Sequence, residues 1–591
     1  MKYLFLLFLF LSGGLFAENI PEEKAKAVAG NFFQSSSTAR TTTVSVRLIL
    51  KDENISTRAN GASPAFYVFG KDNGKGFVIV AGDDVVMPIL GYSFKNNFPG
   101  NHLPVNLKDW LEEISEQINR ARREGLKSPP AVAQAWTALK VGNPVIKLET
   151  ALWNQDMPYN KECPIINGKR TYTGCTITAT AIVMKYHEWP DMGIGTIPGY
   201  TTSTYRYNVP DRTLNRPYLW AKMPLTYTNY STEEEDAVAA LMYDCGVILR
   251  ADYGPIGSSG TGASTAIIAS DLPTYMKYDK SARYLSRSSY SNQEWHRLMQ
   301  KELQEKRPIV YSGFNETAGH AFVLDGYAED DYYSVNWGWG GYCNGYFLLS
   351  ALEPHGQGAG GSGHYNNNQG AVIGLKKDEG GEYIEEIRFG NNQLNGFTTS
   401  ETSFEKDKPF PVSVGFIQNM GSSVFSGTIM VGLTDKTGKI KQELYSFSVP
   451  ALQPRYGYNL KDRWLTIKVP IETGDRIRAF YKSVRSPEWT LIQGNEENGC
   501  VWELIIADEQ SIEESTSIIY NKKTKIFTLQ VKDGVEVQLF TANGTDESQH
   551  CRIQGGEIII DANVLTTGSY TLKLRKAKEY KELKFIIGTS K

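Results

Sequence analysis

The sequence predicts an α+β protein of about four domains, and two kinds of pattern support this prediction. Up to about residue 376, apolar strand-like runs alternate with segments of helical periodicity, so helices and strands share the same units. From residue 377 onward, short alternating runs recur between turn residues, which is typical of β-sandwiches. A length of 591 residues fits about four domains at roughly 150 residues each.

The chain opens with a basic start and an apolar run. Lys2 precedes an unbroken apolar stretch at 3–11, and a glycine-containing segment then ends in Ala17. This order is typical of a secretory signal peptide, residues 1–17, with cleavage expected after Ala17. The run is too short to span a bilayer comfortably, so no integral membrane segment is expected after signal removal. A retained anchor is the alternative, but no cysteine follows Ala17 to carry a lipid.

The composition argues against several classes of partner. Hydrophobic residues make up 41% and charged residues 21% of the chain, and the formal net charge is −3. This balance is usual for soluble globular domains and points to neither nucleic acid nor an anionic membrane. Export permits disulfides, but six cysteines over this length are too few for a disulfide scaffold.

The first predicted domain, residues 18–140, is a small α+β unit that ends in a linker. Asn106 is the expected N-cap of a helix with one apolar face, and Gly125 marks its expected end. Residues 126–141 carry Ser-Pro-Pro and two lysines, a composition typical of a linker with cleavage points. Helices are expected at 22–33 and 107–118, and strands at 66–69 and 76–81.

Residues 141–376 contain the candidate catalytic residues, beginning with Cys175. Small and apolar residues follow it, which predicts a buried helix from Cys175 to His187 that Pro190 ends. A second apolar helix is expected at about 237–249. Attack on a peptide carbonyl requires a thiolate, and both a helix N-terminus and a nearby imidazolium favour that form. Gly174 leaves room for a substrate backbone. The alternative is a small buried cysteine with no catalytic role.

Three further segments of this domain offer partners for the thiol. His320 follows a glycine at the start of an apolar strand-like run, where it can meet a helix N-terminus. Asn336 can accept a hydrogen bond from one imidazole nitrogen, and the adjacent Trp337 can shield that bond from water. Gln155 can donate a hydrogen bond to an oxyanion. Taken singly, each has an ordinary alternative: a structural histidine, an aromatic turn or a surface glutamine.

In combination, these segments resemble the streptopain family of cysteine peptidases over about residues 148–375. The matching motifs are WNQ at 153–155, TGCT at 173–176, GHAFV at 319–323 and NWGWGG at 336–341. The glycine-rich stretch at 358–363, expected to be a loop, also fits. The first domain resembles the propeptide of the same family, through segments at 66–69, 76–84 and 88–93.

The resemblance implies a papain-like catalytic domain with Cys175 as nucleophile and His320 as general base and then general acid. By the same resemblance, Asn336 orients His320, Gln155 contributes to the oxyanion hole, and Trp337 covers the His–Asn pair. Neither a cofactor nor a metal is expected. The propeptide is expected to inhibit the enzyme intramolecularly until the linker is cut.

Two β-sandwich-like domains are expected after the catalytic domain, at 377–507 and 508–591. The polar stretch at 508–517 is the expected linker between them. The last domain resembles the C-terminal sorting domain of type IX secretion, through the segments at 535–540 and 565–574. An accessory or adhesion module is the alternative, because any β-sandwich can supply such segments.

These observations predict a secreted or cell-surface cysteine endopeptidase, made as a zymogen, that hydrolyses extracellular proteins or peptides. Two alternatives belong to other classes. One is a surface binding or adhesion protein whose peptidase-like domain is not proteolytic. The other is a thiol amidase or transpeptidase.

Overall fold

The computed structural model describes residues 18–587, with gaps at 36–43, 53–62, 101, 127, 138–141, 259, 314–319, 351–368, 391–395, 402–403, 507–518, 522–525, 531–535, 542–544, 555–556, 566–567 and 577–578. Several predicted features lie outside the described residues: the signal peptide, the glycine-rich loop, the polar stretch at 508–517, and the two lysines of the linker.

Helices and strands alternate through the first two predicted domains, which confirms a mixed α and β architecture. The helices are α1 (Glu22–Ser35), α2 (Val105–Arg123), α3 (Pro130–Thr137), α4 (Cys175–His187), α5 (Thr232–Ile248), α6 (Ile268–Tyr275) and α7 (Asn292–Gln304). The strands are β1 (Val46–Lys51), β2 (Phe66–Lys71), β3 (Phe77–Ala81), β4 (Ile89–Ser93), β5 (Pro144–Lys147), β6 (Ile165–Ile166), β7 (Lys169–Arg170), β8 (Thr196–Ile197), β9 (Tyr200–Thr201), β10 (Asn208–Val209), β11 (Arg212–Thr213), β12 (Arg283–Ser286), β13 (Ile309–Gly313), β14 (His320–Ala328), β15 (Tyr333–Asn336), β16 (Gly345–Phe347) and β17 (Gly370–Ile373).

One large sheet runs through both the first domain and the domain that holds Cys175. Its order is β1-β2-β3-β4-β16-β15-β14-β13-β17-β12, and β5 also pairs with β14. The junction between the domains is the antiparallel pairing of β4 with β16, which sets Gly91 opposite Phe347. A Cβ atom at Gly91 would lie 2.5 Å from the Phe347 ring, so this close approach requires glycine. Strands from both sides of the predicted boundary near residue 140 therefore belong to the same sheet.

Helix α2 lies against this sheet and reaches the catalytic domain. Its apolar face is buried, and Trp110 Nε1 donates a hydrogen bond to the Leu348 carbonyl at 2.9 Å. The prediction that Asn106 caps the helix is wrong, because the helix begins at Val105 with Pro104 as its N-cap. Asn106 instead donates from Nδ2 to the Trp337 carbonyl at 2.7 Å, across the domain boundary.

The predicted linker contains a helix, α3, that packs on the first domain. Val132 is fully buried, and Trp136 Nε1 donates to the Val86 carbonyl at 2.8 Å. Residues 130–137 of the predicted linker are therefore helical. The sequence Ser128-Pro129-Pro130 places proline at the first helical position, where its missing N–H costs nothing.

Helix α4 begins at Cys175 and ends at His187, as predicted. It is buried along almost its whole length and packs against α5, β13 and β14, which explains its lack of a polar face. Glu188, with φ 45° and ψ 54°, closes the helix in the left-handed conformation. The thiol is thus carried by a helix whose position is fixed by the core on every side.

Residues 387–505 form two antiparallel sheets around a shared core, as expected for a β-sandwich. Fully buried side chains such as Ile417, Ile429 and Ile477 fill the space between the sheets. The strands are β18 (Ile387–Phe389), β19 (Phe397–Thr398), β20 (Pro409–Asn419), β21 (Phe425–Thr434), β22 (Ile440–Leu452), β23 (Gly457–Thr466), β24 (Arg476–Ser483), β25 (Thr490–Leu491) and β26 (Glu503–Ile505).

The sandwich is held against the catalytic domain by a buried cation. Arg388 Nη2 lies 3.1 Å from Glu294 Oε2, and the guanidinium carbon lies 4.4 Å from the centre of the Tyr290 ring. Asn495 Nδ2 donates to the Tyr290 carbonyl at 2.8 Å. These contacts meet at the start of α7, which fixes the two units relative to each other.

The last unit has two smaller sheets, β27-β28-β31-β30 and β29-β32-β33, around a core that includes Leu539 and Leu572. Its strands are β27 (Ile519–Asn521), β28 (Ile526–Gln530), β29 (Glu536–Thr541), β30 (Cys551–Gln554), β31 (Glu557–Asp561), β32 (Gly568–Lys576) and β33 (Glu579–Ile587). Across the residues that the structure describes, no helix is both long and apolar enough to cross a membrane.

Candidate active site

Cys175 is the first residue of α4 and faces the sheet. Gly174 precedes it with a backbone φ of 97°, a conformation that residues other than glycine rarely adopt. A Cβ at Gly174 would also lie 2.7 Å from the Thr261 carbonyl oxygen. The glycine predicted to leave room for a substrate is thus also required by the turn that places the thiol at a helix N-terminus.

His320 is the first residue of β14 and lies opposite the thiol. Its Nδ1 is 3.9 Å from Cys175 Sγ, and the backbone N–H of Ala321 donates to the same sulfur at 3.4 Å. Burial raises the pKa of Cys175, but the hydrogen bond and charge of His320, with the N–H of Ala321, lower it below the usual 9.0. The arrangement therefore favours a thiolate beside an imidazolium.

The other imidazole nitrogen is held by the first domain. His320 Nε2 lies 2.7 Å from Oδ2 of Asp109, a residue of α2. Burial lowers the pKa of His320, but the hydrogen bonds to Asp109 and Cys175 outweigh it and raise the pKa to about 10. Both side chains are largely shielded, with 18% of His320 and 9% of Asp109 exposed, so water screens this ion pair only weakly.

Asn336 ends β15, next to the histidine strand, and is fully buried. Its Nδ2 donates to Thr150 Oγ1 at 3.0 Å and to the Ala151 carbonyl at 2.9 Å. Its Oδ1 accepts from the Gly338 N–H at 3.2 Å. His320 Nε2 is paired with Asp109, and the orienting role of Asn336 stays a prediction.

Gln155 and Trp337 are both buried, and each contacts a residue close in sequence to Cys175 or His320. The Gln155 carbonyl accepts from the N–H of Thr173, two residues before Cys175, at 3.0 Å. The Trp337 ring packs against Phe322, the second residue after His320, with ring centres 5.0 Å apart. Trp337 Nε1 donates to the Cys343 carbonyl at 3.2 Å, which fixes the ring in the core.

Sequence reasoning missed Asp109 and Asn106 as parts of this site. Both occur on the face of α2 that also carries Leu107 and Trp110, and both are buried. A carboxylate and an amide within an apolar helix face are the signal that could have found them, since buried polar groups need partners.

The remaining cysteines differ from Cys175 in their surroundings. None of the six is in a disulfide within the described part of the chain. Burial raises the pKa of Cys163 and of Cys343 to about 12, so these thiols are poor nucleophiles. Among the described residues, no group of three or more His, Cys, Asp or Glu side chains has the arrangement to hold a metal ion.

A thiol at a helix N-terminus that faces an imidazole on a neighbouring strand is the arrangement of cysteine peptidases and related thiol enzymes. Family models agree: the Peptidase C10 family matches residues 153–347, and the Spi protease inhibitor matches residues 17–118. Streptopain of Streptococcus pyogenes is 35% identical over 384 residues, which cover 61% of this chain and 92% of that protein. The chain belongs to the streptopain family, Peptidase C10, and is a cysteine endopeptidase with a propeptide inhibitor domain.

Other relatives extend the comparison. Thiol protease/hemagglutinin PrtT of Porphyromonas gingivalis is 32% identical over 370 residues, covering 60% of this chain but only 42% of PrtT. Among solved structures, a fragment of Prevotella intermedia prointerpain A is 29% identical and covers 56% of this chain and 99% of the fragment, with a TM-score of 0.44. Active Prevotella intermedia interpain A is 34% identical and covers 39% of this chain and 94% of its own, with a TM-score of 0.35.

Proposed function

We propose that the protein is a secreted cysteine endopeptidase zymogen that cuts extracellular proteins through a Cys175–His320 pair in a papain-like arrangement. The observation that carries this proposal is the approach of Cys175 Sγ to His320 Nδ1, 3.9 Å apart at the start of a buried helix. The matching lowered pKa of the thiol and raised pKa of the imidazole supply the ion pair that the reaction needs.

The reaction proceeds through an acyl-enzyme. The Cys175 thiolate attacks the peptide carbonyl carbon, and the proton on His320 Nδ1 passes to the leaving amine. Water then attacks the thioester, with His320 taking its proton and the Cys175 thiolate leaving. The oxyanion formed in both steps accepts hydrogen bonds from the backbone N–H of Cys175 and the side-chain amide of Gln155.

Asn336 takes over His320 Nε2 once Asp109 has left. Its Nδ2 protons are already used by Thr150 and Ala151, so its Oδ1 is the end of the amide that can accept from the imidazole. Trp337 supports this pair from the apolar side, because its ring packs against Phe322 on the histidine strand.

The docked first domain keeps the enzyme latent. Asp109 occupies the imidazole nitrogen that Asn336 needs, and Asn106 bonds the Trp337 carbonyl beside it. Release requires a cut between α2 and β5, within the predicted linker. Pro144 pairs with Ala328, eight residues along β14 from His320, which is about 26 Å of extended strand. The linker end at Pro144 is therefore remote from the thiol of its own molecule, which favours cleavage by an enzyme molecule that is already active.

Export follows from the signal peptide expected at 1–17, and residues 508–591 serve as the type IX sorting domain. The support for sorting is the resemblance of two short segments, together with a separate β-unit at the described end of the chain. Substrates are protein or peptide chains, since the nucleophile acts on an amide carbonyl.

The test is a time course of the full chain under reducing conditions, followed on gels and by mass spectrometry with casein as substrate. We expect the native chain to shorten at its amino end, within 126–147, and then to digest casein. Cys175→Ala should stay full length alone and be shortened when active enzyme is added. Cys551→Ser, a free thiol in the last unit, is the matched control and should behave as the native chain. Intact native chain with no casein cleavage, even after linker cleavage by another protease, would refute the proposal.

A further inference from the structure

A buried chain of hydrogen bonds connects the Asn336 amide to a carboxylate. Asn336 Nδ2 donates to Thr150 Oγ1 at 3.0 Å, and Thr150 Oγ1 donates to Asp325 Oδ2 at 2.6 Å. Lys147 Nζ lies 2.5 Å from the same carboxylate oxygen. The side chain of Asp325 is only 2% exposed, so a charged carboxylate sits within the sheet.

The chemistry of these groups fixes which group donates and which accepts at each hydrogen bond. A carboxylate beside an ammonium only accepts, so the Thr150 hydroxyl must give its proton to Asp325. The hydroxyl oxygen then has only lone pairs to offer Asn336, so the NH₂ end of the Asn336 amide must face Thr150. The second carboxylate oxygen, Asp325 Oδ1, is buried and has no hydrogen-bond partner among the described residues, so a proton placed there would have no acceptor among them.

The direction of the hydrogen bonds matters because a 180° rotation of an asparagine amide exchanges its oxygen and its NH₂ group with little change in shape. In the rotated orientation, Asn336 would present its NH₂ group to the imidazole and repel the protonated Nε2. The Ala151 carbonyl and the Gly338 N–H favour the same orientation, at 2.9 and 3.2 Å. Neither of these backbone contacts carries a full charge, whereas the chain through Thr150 ends on an ionised group.

We infer that Asp325 and Thr150 are positioning residues that lock the Asn336 amide with its Oδ1 toward His320. The inference rests on the proposed role of Asn336 as the partner of His320 in the mature enzyme. Lys147 compensates the buried charge of Asp325, so the segment that directly follows the predicted linker supports the histidine partner through Thr150.

The test compares the mature forms of three variants, Thr150→Val, Thr150→Ser and Asp325→Asn. Tagged native enzyme cleaves the linker of each variant and is then removed by its tag. Valine matches threonine in shape and removes only the hydroxyl, whereas serine keeps it. We expect Thr150→Val and Asp325→Asn to lower kcat about 10- to 100-fold, the range of a hydrogen bond to a charged group, with little change in KM. The alkaline limb of Cys175 alkylation against pH should shift to lower pH, and Thr150→Ser should restore both properties.

Asn336→Ala separates this inference from the proposal beneath it. If Asn336→Ala keeps the native alkylation profile, the role of Asn336 fails, and the inference fails with it. If Asn336→Ala loses activity while Thr150→Val and Asp325→Asn match native enzyme, only the inference fails. Adding Thr150→Val to Asn336→Ala should cause no further loss of kcat. A further loss of kcat in the double variant would overturn the inference. A lower melting temperature of Thr150→Val with a native pH profile would show that Thr150 has only a structural role, and this result would also overturn it.

Discussion

Replacement of Asp109 should weaken the latency of the zymogen without touching the mature enzyme. The carboxylate belongs to the first domain, and its bond to His320 Nε2 is 2.7 Å long. Asp109→Ala removes the acceptor, while Asp109→Asn keeps an acceptor but removes the charge. Both variants leave Cys175, His320 and every other residue after the linker unchanged, so the matured enzyme should have native activity.

The size of the effect follows from the imidazole. Burial lowers the pKa of His320, whereas Asp109 and Cys175 both raise it. A hydrogen bond to a charged group contributes about 2–3 kcal/mol, and we assign this value to the contact between Asp109 and His320. The docking equilibrium of the first domain should therefore fall about 30- to 150-fold in Asp109→Ala, and less in Asp109→Asn.

Two assays measure the weaker docking of the first domain. One is the lag before the full chain is shortened, and the other is the alkylation rate of Cys175 in the first minutes. Both should change in Asp109→Ala, with a shorter lag and faster alkylation. The His320 pKa is raised by docking, so this contribution is complete below the pKa of the undocked imidazole and disappears as the pH rises through about 10. The difference between native chain and variant should accordingly shrink toward pH 10.

Glu116→Gln is the matched control, because Glu116 lies on the same helix and pairs with Arg123 at the surface. Exposed pairs of this kind contribute little, so its lag should be native. A folded Asp109→Ala chain with the native lag and the native alkylation rate at neutral pH would show that the ion pair does not hold the enzyme latent.

Two other substitutions test other parts of the molecule. Gln155→Ala should lower kcat about 10²- to 10³-fold with little change in KM, as expected for the loss of one oxyanion donor, and a native kcat on a peptide ester would contradict that role. Arg388→Ala leaves Glu294 partly buried without its bidentate partner and should lower the stability of the full chain by about 3 kcal/mol in chemical unfolding. Lys468→Ala, which breaks an exposed pair with Asp407, is its control and should change stability by less than about 1 kcal/mol.

Local signals in the sequence were sufficient to place many single elements of the fold. Helix α4 was predicted at its observed bounds because its residues and the following proline are local features. Helix α5 was predicted too short, because its first turn contains Glu233, Glu234 and Glu235 rather than apolar residues. Its capping box, Ser231 with Glu234, was the available signal for the true start.

The continuous sheet could not be predicted in the same way. The pairing of β4 with β16 joins strands from different predicted domains, and both are short apolar runs that fit many registers. The sequence reports which face of a strand is apolar but not which distant strand covers its edge. For the same reason, the contact of Asn106 with the Trp337 carbonyl was invisible, and the residue was assigned the local role of a helix cap.

The candidate site divides along a similar line. The motifs around Cys175, His320 and Asn336 are recognisable because each keeps its chemistry within a few adjacent residues. The partner of His320 in the latent chain is a carboxylate on a helix of the other domain, and no motif links the two. Spatial proximity, supplied by the shared sheet, was needed to identify it.

The two acceptors that we propose for His320 Nε2, Asp109 in the zymogen and Asn336 in the mature enzyme, differ in charge. Asp109 carries a full negative charge, so it binds the imidazolium strongly and also draws its charge away from the Cys175 thiolate. Asn336 is neutral, so it can fix the ring while leaving the imidazolium charge to stabilise the thiolate. An aspartate at 336 would hold the ring but compete with the sulfur for that charge. The latent enzyme can therefore use the stronger acceptor only because it is carried by the segment that is later removed.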